Sequence, residues 1–382
     1  MIRRRIFEPE HQMFRDTVRK WAEAEVYPRS AEFRRDGMVA RDVWTSAGKQ
    51  GFLAMYADPE YGGLGLDDFR FDMVLMEELA ARENGLFIPL HNRIVGPYLH
   101  RFGTEAQKRA YLPGVVSGDT ILAIAMTEPD IGSDLAGMRT RAEDRGDHWL
   151  LNGSKTYISN GILAGLVIVA ARTGTGSHDI GLFLVPDGTA GFTRGRRLEK
   201  IGLKSQDTAE LHFENVKLPK DAVLGKPAGG FGMMMQNLAE ERLVGSIQFI
   251  AHAQRAFDIT LAYILERKAF GRPIGTFQNS RFVMAALKTK IDAGWAFVDH
   301  CAQEHLEGAL PPDLAAQAKL LCSETEGEVI DACLQLHGGA GFMEEYEIGR
   351  MYGSARVSRI YAGTSEIMKE IIGRKLGLGD RG

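Results

Sequence analysis

The sequence predicts a multidomain α+β protein with an N-terminal helical domain, a small middle β-barrel or sandwich, and a C-terminal four-helix bundle. Apolar residues recur at helical spacing in the first and last thirds of the chain. Between them, short β-branched and aromatic runs bounded by Gly, Asn and Asp are typical of strands. Because 382 residues exceed one typical core, we place the domains at residues 1–120, 121–229 and 230–382.

The N-terminal domain is predicted from amphipathic segments on both sides of a turn-rich loop. Residues 8–30 carry the helical period, and residues 70–118 carry it in two or three shorter helices. The stretch "DPEYGGLGLDD" (58–68) combines Pro59 with several glycines, which end helices and form turns. It is therefore expected to be a loop.

The middle domain is predicted from short apolar runs at regular spacing. The predicted strands cover residues 148–161, 166–172, 180–186 and 209–218. Several short strands separated by turn residues favour a barrel or a sandwich.

The C-terminal domain is predicted from long helical patterns joined by short connections. One face of its first helix carries Leu243, Ile247, Ile250, Phe257, Leu261 and Ile264. Residues 281–307 and 312–337 form two further helices, and the last helix starts near Thr364 or Ser365, either of which is a suitable N-cap. Four such helices favour a bundle.

Composition and charge narrow the class of function. A net charge of −4 and a pI near 6.2 give no support for a nucleic-acid partner. The three cysteines, Cys301, Cys322 and Cys333, are too far apart for a zinc cluster or a disulfide framework, so a reducing cytoplasm is expected. We find no signal peptide and no apolar run long enough to span a membrane.

The sequence also lacks the motifs of metal-binding and nucleotide-binding sites. His300 and His305 are five residues apart and fall on different faces of a helix, so we interpret them as solvated surface histidines. No G-x-G-x-x-G follows a strand, and "NGSKT" (152–156) lacks the upstream glycine of a phosphate-binding loop. A metal site, a Rossmann site and an NTPase are therefore not expected.

Two stretches of the middle domain carry polar groups on open backbone. In "AIAMTEPDIGSDLAGM" (123–138), Thr127 and Ser133 offer hydroxyl groups beside glycines that allow close approach. In "TYISNG" (156–161), Tyr157 stands where a flat ring could lie against it. An ordinary β-turn and an aromatic residue at the rim of the core are the alternatives.

Taken together, the motifs resemble a known family. "PEYGGLG", "AMTEPDIGSDLAG", "KTYISNG", "ERKAFGRPIGTFQ", "QLHGGAGF" and "IYAGTSEIM" occur in this order over nearly the whole chain. They are similar to the acyl-CoA dehydrogenase family, and most similar to its long-chain and isovaleryl-type members.

The resemblance implies an activity, a cofactor and partners. Members bind FAD, oxidise the Cα–Cβ bond of a fatty acyl thioester to a trans-2-enoyl thioester, and pass electrons to an electron-transfer flavoprotein. Members also share one FAD between neighbouring subunits, so we expect an oligomer, at least a dimer and by family habit a homotetramer.

The resemblance also assigns cofactor contacts. Contacts with the flavin part of FAD are assigned to Met126, Thr127, Ser133, Tyr157, Ile158 and Ser159. The diphosphate and adenosine half is assigned to Arg267, Phe270 and Gln278 in a neighbouring subunit, and to Gln335, Gly338, Gly339, Thr364 and Glu366. Ser133 is further expected at the acyl-CoA entry.

One position departs from the majority pattern of the family. Most members have Glu where this chain has Ala362, and that Glu is their catalytic base. The long-chain and isovaleryl-type members instead carry the base on the first bundle helix, immediately before an Arg. "NLAEERLVG" (237–245) matches this with Glu241 followed by Arg242. The backbone of Ala362 and Gly363 is then expected to hold the thioester carbonyl.

The alternative interpretation is that Glu241 is an ordinary charged residue on a solvated helix. Its helical neighbours Leu238, Val244 and Gly245 are apolar or small, so partial desolvation is expected to raise its pKa. Glu240 lies about 100° further round the helix and cannot share the role. Arg242 could orient the base or the thioester, and a plain ion pair is equally compatible with the sequence.

Two other functions remain open at this stage. An acyl-CoA oxidase would pass electrons to oxygen, and a non-catalytic acyl-CoA-binding protein would bind the thioester without reducing flavin. The preferred acyl chain, whether medium, long or branched, is left open by the sequence.

Overall fold

The computed structural model describes residues 2–80, 82 and 85–379. Its N-terminal part is helical, as the sequence predicts. The helices are α1 (Pro9–Trp21), α2 (Ser30–Asp36), α3 (Arg41–Lys49), α4 (Phe69–Ala80), α5 (Gly96–Phe102) and α6 (Glu105–Ser117). The loop predicted at residues 58–68 holds only a single 3₁₀ turn.

The predicted continuous helix over residues 8–30 is wrong in its second half. Helix α1 ends at Trp21, and the chain continues through a π-helical turn (Ala22–Val26) and a 3₁₀ turn (Tyr27–Arg29). Pro28 has no backbone N–H to continue the α-helical hydrogen bonds, so the helix cannot run through it unbroken.

The middle part is a curled seven-stranded sheet. Its strands are β1 (Leu122–Ala125), β2 (Arg141–Asp144), β3 (His148–Ser159), β4 (Leu166–Arg172), β5 (Ile180–Pro186), β6 (Phe192–Arg197) and β7 (Thr208–Pro219). The long strands β3 and β7 pair antiparallel, while β4 pairs with β1 in parallel and with β5 in antiparallel orientation. The sheet therefore contains both parallel and antiparallel strand pairs.

Strands β2 and β6 were not predicted from the sequence. Strand β2 reads "RAED" and strand β6 reads "FTRGRR", and both are charged and largely outside the core. Their backbones pair with β3 and β7, so the sheet ladder forms these strands without an apolar run to mark them.

The C-terminal part is the predicted helical bundle. It contains α7 (Gly230–Glu266), α8 (Gln278–Leu306), α9 (Pro312–His337), α10 (Glu347–Ala355) and α11 (Ser365–Lys375), with a short hairpin of β8 (Lys268–Ala269) and β9 (Arg272–Pro273) after α7. The core of the bundle includes Phe69, Met73 and Met76 of α4. Helix α4 therefore joins the N-terminal helices to α7, which carries the candidate base.

Within the residues that the structure describes, none of the helices is both long and apolar enough to cross a membrane. The interpretation of His305 as a solvated surface residue is wrong. Its ring lies edge-on to Phe69 with 4.6 Å between ring centroids, and burial lowers its pKa. His300 is exposed, as expected. The helical spacing could not reveal that α4 covers one of the two faces.

Candidate active site

The carboxyl group of Glu241 lies inside the molecule. Its helix, α7, packs against α4, α8 and α9, and Glu241 is 8% exposed. Tyr98 of α5 donates a hydrogen bond from its hydroxyl to Glu241 Oε1 at 3.0 Å. Burial raises the pKa of Glu241 to about 7, in spite of the Tyr98 hydrogen bond and the charge of Arg242. The predicted rise in pKa is confirmed, and the solvated-helix interpretation is wrong.

The adjacent acid, Glu240, has a different environment. Arg101 Nη2 donates to Glu240 Oε2 at 2.7 Å, and Arg93 Nη1 lies 3.7 Å from Oε1. Glu240 is therefore a buried partner of two arginines. The step of about 100° between successive helical residues separates the two carboxyl groups into different surroundings.

Arg242 is buried next to the candidate base. Its Nε has no hydrogen-bond partner among the residues described. Burial lowers the pKa of Arg242, while the nearby Glu241 carboxyl raises it. A buried guanidinium nitrogen without a protein acceptor is available for a polar group of a ligand.

The loop before α11 is anchored to α9 through a buried lysine. Ala362 and Gly363 both have positive φ, at 53° and 89°. The buried Lys319 of α9 donates from Nζ to the carbonyl oxygen of Gly363 at 2.7 Å. Thr364, one of the two predicted caps, is the N-cap of α11, and its side chain accepts a hydrogen bond from the backbone N–H of Ile367. The end of the loop next to α11 is thus held in place, and residues 360–364 contain no acid.

The two polar stretches of the middle domain lie side by side. Thr156 donates its backbone N–H to the carbonyl of Thr127 at 3.0 Å. The strand pairing shifts register between Lys155 and Ile158, and Tyr157 adopts a φ of 58° there. This bulge turns the Tyr157 ring outward, so it is 69% exposed, and a core role at the rim is wrong for this ring.

The other predicted flavin contacts differ in exposure. Ser133 is exposed, and Met126 and Ser159 are half-buried. The side chain of Ile158 is buried in the core of the sheet. Any contact from Ile158 to a cofactor would therefore come from its backbone.

A buried ion pair under this surface was missed by the sequence analysis. Lys155 Nζ donates to Glu128 Oε1 and to the carbonyl of Met126, both at 2.9 Å. Glu128 also accepts the backbone N–H groups of Arg139 and Thr140 at 2.7 and 2.9 Å. The one signal in the sequence is a lysine at an inward position of a predicted strand, which needs a buried partner.

The residues predicted to act on a neighbouring subunit's cofactor are exposed. Arg267, Phe270 and Gln278 lie on and next to the β8–β9 hairpin, and the Phe270 ring is 96% exposed with a φ of 52°. Gln335, Gly338 and Gly339 face solvent at the end of α9. A side-chain Cβ added at Gly338 or Gly339 would meet no atom within 4 Å, so the backbone there is open to a ligand.

A cavity of about 210 Å³ lies at the start of α11. Its lining residues are Glu324, Arg356, Arg359, Ile360, Thr364, Ser365, Glu366 and Lys369. Arg359 Nε and Ser365 Oγ are buried without hydrogen-bond partners among the described residues. Basic side chains at a helix N-terminus with unused donors suit a phosphate or diphosphate group.

These features define a class of protein. A desolvated carboxyl with a pKa near 7, an outward aromatic ring and a cavity with basic side chains at a helix N-terminus are the parts that the resemblance implies for a flavin-dependent oxidoreductase acting on acyl thioesters.

Comparisons with known proteins identify the family. Family models described as the N-terminal, middle and C-terminal domains of acyl-CoA dehydrogenase match residues 8–119, 123–216 and 228–377. The chain belongs to the acyl-CoA dehydrogenase family, and it is an FAD-dependent oxidoreductase. The predicted family and its three-part fold are confirmed.

Individual relatives cover nearly the whole chain. The long-chain specific acyl-CoA dehydrogenase, mitochondrial, of Sus scrofa is 45% identical over 98% of this chain and 88% of its own. The isovaleryl-CoA dehydrogenase, mitochondrial, of Arabidopsis thaliana is 34% identical over 97% and 92%. An acyl-CoA dehydrogenase structure from Geobacillus kaustophilus is 44% identical, with a TM-score of 0.96 over 97% of this chain and 99% of that one.

Two further solved chains bear on the cofactor and the electron acceptor. A glutaryl-CoA dehydrogenase from Mycobacterium smegmatis in complex with FADH2 is 28% identical, with a TM-score of 0.89 over 97% of this chain and 95% of that one. A chain from a structure of the electron transferring flavoprotein of Acidaminococcus fermentans is 34% identical, with a TM-score of 0.92 over 97% and 98%.

Proposed function

We propose that the protein dehydrogenates fatty acyl-CoA thioesters to trans-2-enoyl-CoA, with Glu241 as the base that removes the α-proton. The observation that carries the proposal is the buried Glu241 carboxyl, whose pKa of about 7 makes it a base at neutral pH. The acid that most of the family carries at the position of Ala362 is replaced by this group on α7.

The chemistry requires more than a base. The α-proton of a thioester is weakly acidic, so its removal needs stabilisation of charge on the carbonyl oxygen. The backbone N–H of Ala362 is the proposed donor, and Gly363 is a proposed substrate contact. The Lys319 hydrogen bond to Gly363 keeps this loop in place. Arg242, whose Nε is unused, is the proposed second polar contact of the acyl-CoA.

The residues present fit FAD. The proposed flavin surface consists of Met126, Thr127, Ser133, Tyr157, Ile158 and Ser159. Bound FAD supplies the two-electron acceptor for the hydrogen that leaves Cβ. The cavity at Thr364 and Glu366, with its unused Arg359 and Ser365 donors, is the proposed diphosphate site. Gln335 and the open backbone of Gly338 and Gly339 are proposed for the adenine half.

The exposed hairpin supports a shared cofactor. Phe270 presents a large apolar ring almost fully to solvent, together with the exposed Arg267 and Gln278. We propose that these three residues complete the cofactor site of a second copy of the chain, in a homotetramer arranged as a dimer of dimers. We further propose domain boundaries after residues 120 and 229, and an electron-transfer flavoprotein as the acceptor.

For the location we propose the cytoplasm. The three cysteines are free and buried in the bundle, as is usual in a reducing compartment. Two of the relatives named above are mitochondrial, so fractionation of the source cells is the direct test.

The experiment that tests the function is anaerobic mixing of the purified flavoprotein with saturated and branched acyl-CoAs of increasing chain length. We expect bleaching of the oxidised flavin by at least one thioester, and the fastest one identifies the preferred chain. In Glu241→Gln the flavin should remain bound, and its reduction should slow by roughly 10²- to 10⁴-fold, the usual contribution of a general base.

Glu240→Gln is the matched control, because it removes the neighbouring acid from the same helix. It should keep flavin reduction within a few-fold of the wild-type rate. Rapid bleaching of Glu241→Gln would move the base elsewhere, and binding of every thioester without bleaching would favour a non-catalytic protein. Peroxide release in air would identify oxygen as the acceptor.

A further inference from the structure

Tyr98 comes from the N-terminal helices, yet it contacts the candidate base on α7. It lies in the first turn of α5, which follows a π-helical segment (Leu90–Val95), and it is fully buried. Its hydroxyl donates to Glu241 Oε1 at 3.0 Å across 143 positions of sequence. In the described part of the chain this is the only side-chain hydrogen bond that Glu241 receives.

The surroundings of Tyr98 fix the position of its hydroxyl. The ring packs in a buried cluster that includes Leu99 and Val115, and it contacts Phe102 one turn later with 6.3 Å between centroids. Core side chains packed in this way have few alternative rotamers. The hydroxyl is therefore held in place before any ligand arrives.

A second side chain on the same face of α5 binds α7 close to Glu241. Arg101 lies three residues after Tyr98, and side chains three apart share one face of a helix. Its guanidinium donates to Glu240 at 2.7 Å and to Asn237 Oδ1 at 3.1 Å. Helix α5 thus binds α7 at Glu240, one residue before Glu241, and at Asn237, about one helical turn before it. These contacts fix the distance between Tyr98 and the Glu241 carboxyl.

The hydroxyl of Tyr98 acts on this carboxyl only as a donor. Burial and the Glu241 carboxyl raise the pKa of Tyr98 well above its usual value, so it keeps its proton at every working pH. A hydrogen bond to an ionised acceptor is stronger than one to a neutral acceptor. Tyr98 therefore favours the ionised form of Glu241, which burial disfavours.

We propose that Tyr98 is the positioning residue for the base: its hydroxyl holds Oε1 of Glu241 and favours the carboxylate, which leaves Oε2 to take the substrate proton. In that step the Cα–H bond of the thioester breaks and an O–H bond forms on Oε2. The electron pair stays with the substrate, and Tyr98 keeps its own proton. This inference rests on the proposed role of Glu241.

The other charged groups around the carboxyl are Glu240 and Arg242 on its own helix, and Arg101 and Arg93 next to Glu240. The charge of Glu240 raises the pKa of Glu241, and that of Arg242 lowers it. Removing only the Tyr98 hydroxyl leaves all four of these groups in place. Its effect on the Glu241 pKa can therefore be separated from the effects of the four charges.

The test compares Tyr98→Phe with wild type in the FAD-loaded enzyme. The rate of anaerobic flavin reduction by one saturated acyl-CoA is measured across the pH range. We expect the midpoint of this pH–rate profile to rise by about one pH unit in Tyr98→Phe, since a hydrogen bond to a charged group contributes on the order of one unit of pKa. At neutral pH the rate should fall about five-fold, with KM little changed, and it should recover largely at high pH.

A second readout does not depend on turnover. The carboxyl C=O infrared band of Glu241 is obtained as the difference between wild type and Glu241→Gln, both oxidised and free of substrate. Its titration midpoint should rise by about the same one unit in Tyr98→Phe. Tyr56→Phe is the matched control, because Tyr56 belongs to the same buried cluster and its hydroxyl has no partner among the described residues. It should leave both midpoints unchanged.

The inference is overturned if Tyr98→Phe keeps the wild-type midpoint in both measurements while Glu241→Gln remains inactive. Rapid flavin reduction by Glu241→Gln would instead reject Glu241 as the base, so the two failures are distinguishable. If Tyr98→Phe does not retain FAD, wild type labelled with 3-fluorotyrosine carries the test. Its more acidic hydroxyl is a stronger donor and should lower the midpoint, and an unchanged midpoint overturns the inference.

Discussion

Glu128 in the middle domain and Glu241 in the bundle are buried to nearly the same extent, at 5% and 8% exposure, yet their pKa values move in opposite directions. Burial opposes the ionisation of Glu128, but Lys155 and the backbone N–H groups of Arg139 and Thr140 outweigh it and hold its pKa below the usual value. Glu241 has one phenol donor, and burial raises its pKa to about 7. The donors around each carboxyl separate the structural carboxylate Glu128 from the candidate base Glu241.

The backbone explains why the two sites differ. Glu128 sits in a turn, where the N–H groups that precede β2 are free to bind it. Glu241 sits in the middle of α7, where each backbone N–H is already used by the helix. Only side chains from other elements can bind its carboxyl. Its proton affinity is thus set by tertiary contacts.

The largest expected effect on stability follows from Lys155→Met. This change removes the charged partner of Glu128 and leaves a buried carboxylate, which should cost about 3–5 kcal/mol of unfolding free energy. It should also loosen the turn that carries Met126 and Thr127 and so reduce bound FAD. Thermal unfolding and flavin content measure the two effects.

Lys220→Met provides the control for that change. Lys220 pairs with Asp144 at the surface of the same domain, and such pairs contribute about 0–1 kcal/mol. A loss of stability in Lys155→Met no greater than in Lys220→Met would show that Glu128 is held by its backbone donors alone.

The next expected effect is on the pH dependence of the unfolding free energy. The contribution of Glu241 decreases as the pH rises, whereas that of a carboxylate in a buried ion pair increases. The pKa of Glu241 rises from 4.5 to about 7 on folding, so its favourable contribution is present below pH 4.5 and is lost as the pH rises to 7. Glu241→Gln should therefore be more stable than wild type above pH 7, by about 3 kcal/mol. Unfolding free energies at acid and at mildly alkaline pH measure the difference.

Glu128→Gln completes the comparison. The pKa of Glu128 is lowered on folding, so its contribution is present at neutral pH and is lost in acid. This variant should be less stable than wild type at neutral pH, where Glu241→Gln is more stable. Equal signs for the two variants would contradict the contrast drawn between the two carboxyls.

The smallest effect is expected from Glu240→Gln on the pH profile of flavin reduction. The charge of Glu240 raises the pKa of Glu241, so its removal should lower the midpoint by less than about one pH unit. The rate in mildly acidic solution should therefore increase. Glu345→Gln, at an exposed acid far along the chain, should leave the midpoint unchanged.

The sequence predicts well those elements whose pattern is local. Strands β4 and β5 have the predicted bounds, and α9 begins and ends where its helical period does. Strands β2 and β6 were missed because their residues are polar and only their neighbours in the sheet hold them. Pro28 broke a helix that apolar spacing alone had predicted as continuous.

The sequence by itself determined the three-part architecture, because helical and strand periodicity are local properties of each segment. It pointed to Glu241 as the candidate base through the family resemblance, and the neighbours of Glu241 at helical spacing predicted its partial desolvation. Only the tertiary structure decided that Lys155 pairs with Glu128, that His305 is covered by Phe69, and that Tyr98 binds Glu241. These contacts join residues far apart in the chain, and no spacing rule encodes them. The proton affinity of a buried carboxyl depends on such contacts, so it is a property of the fold.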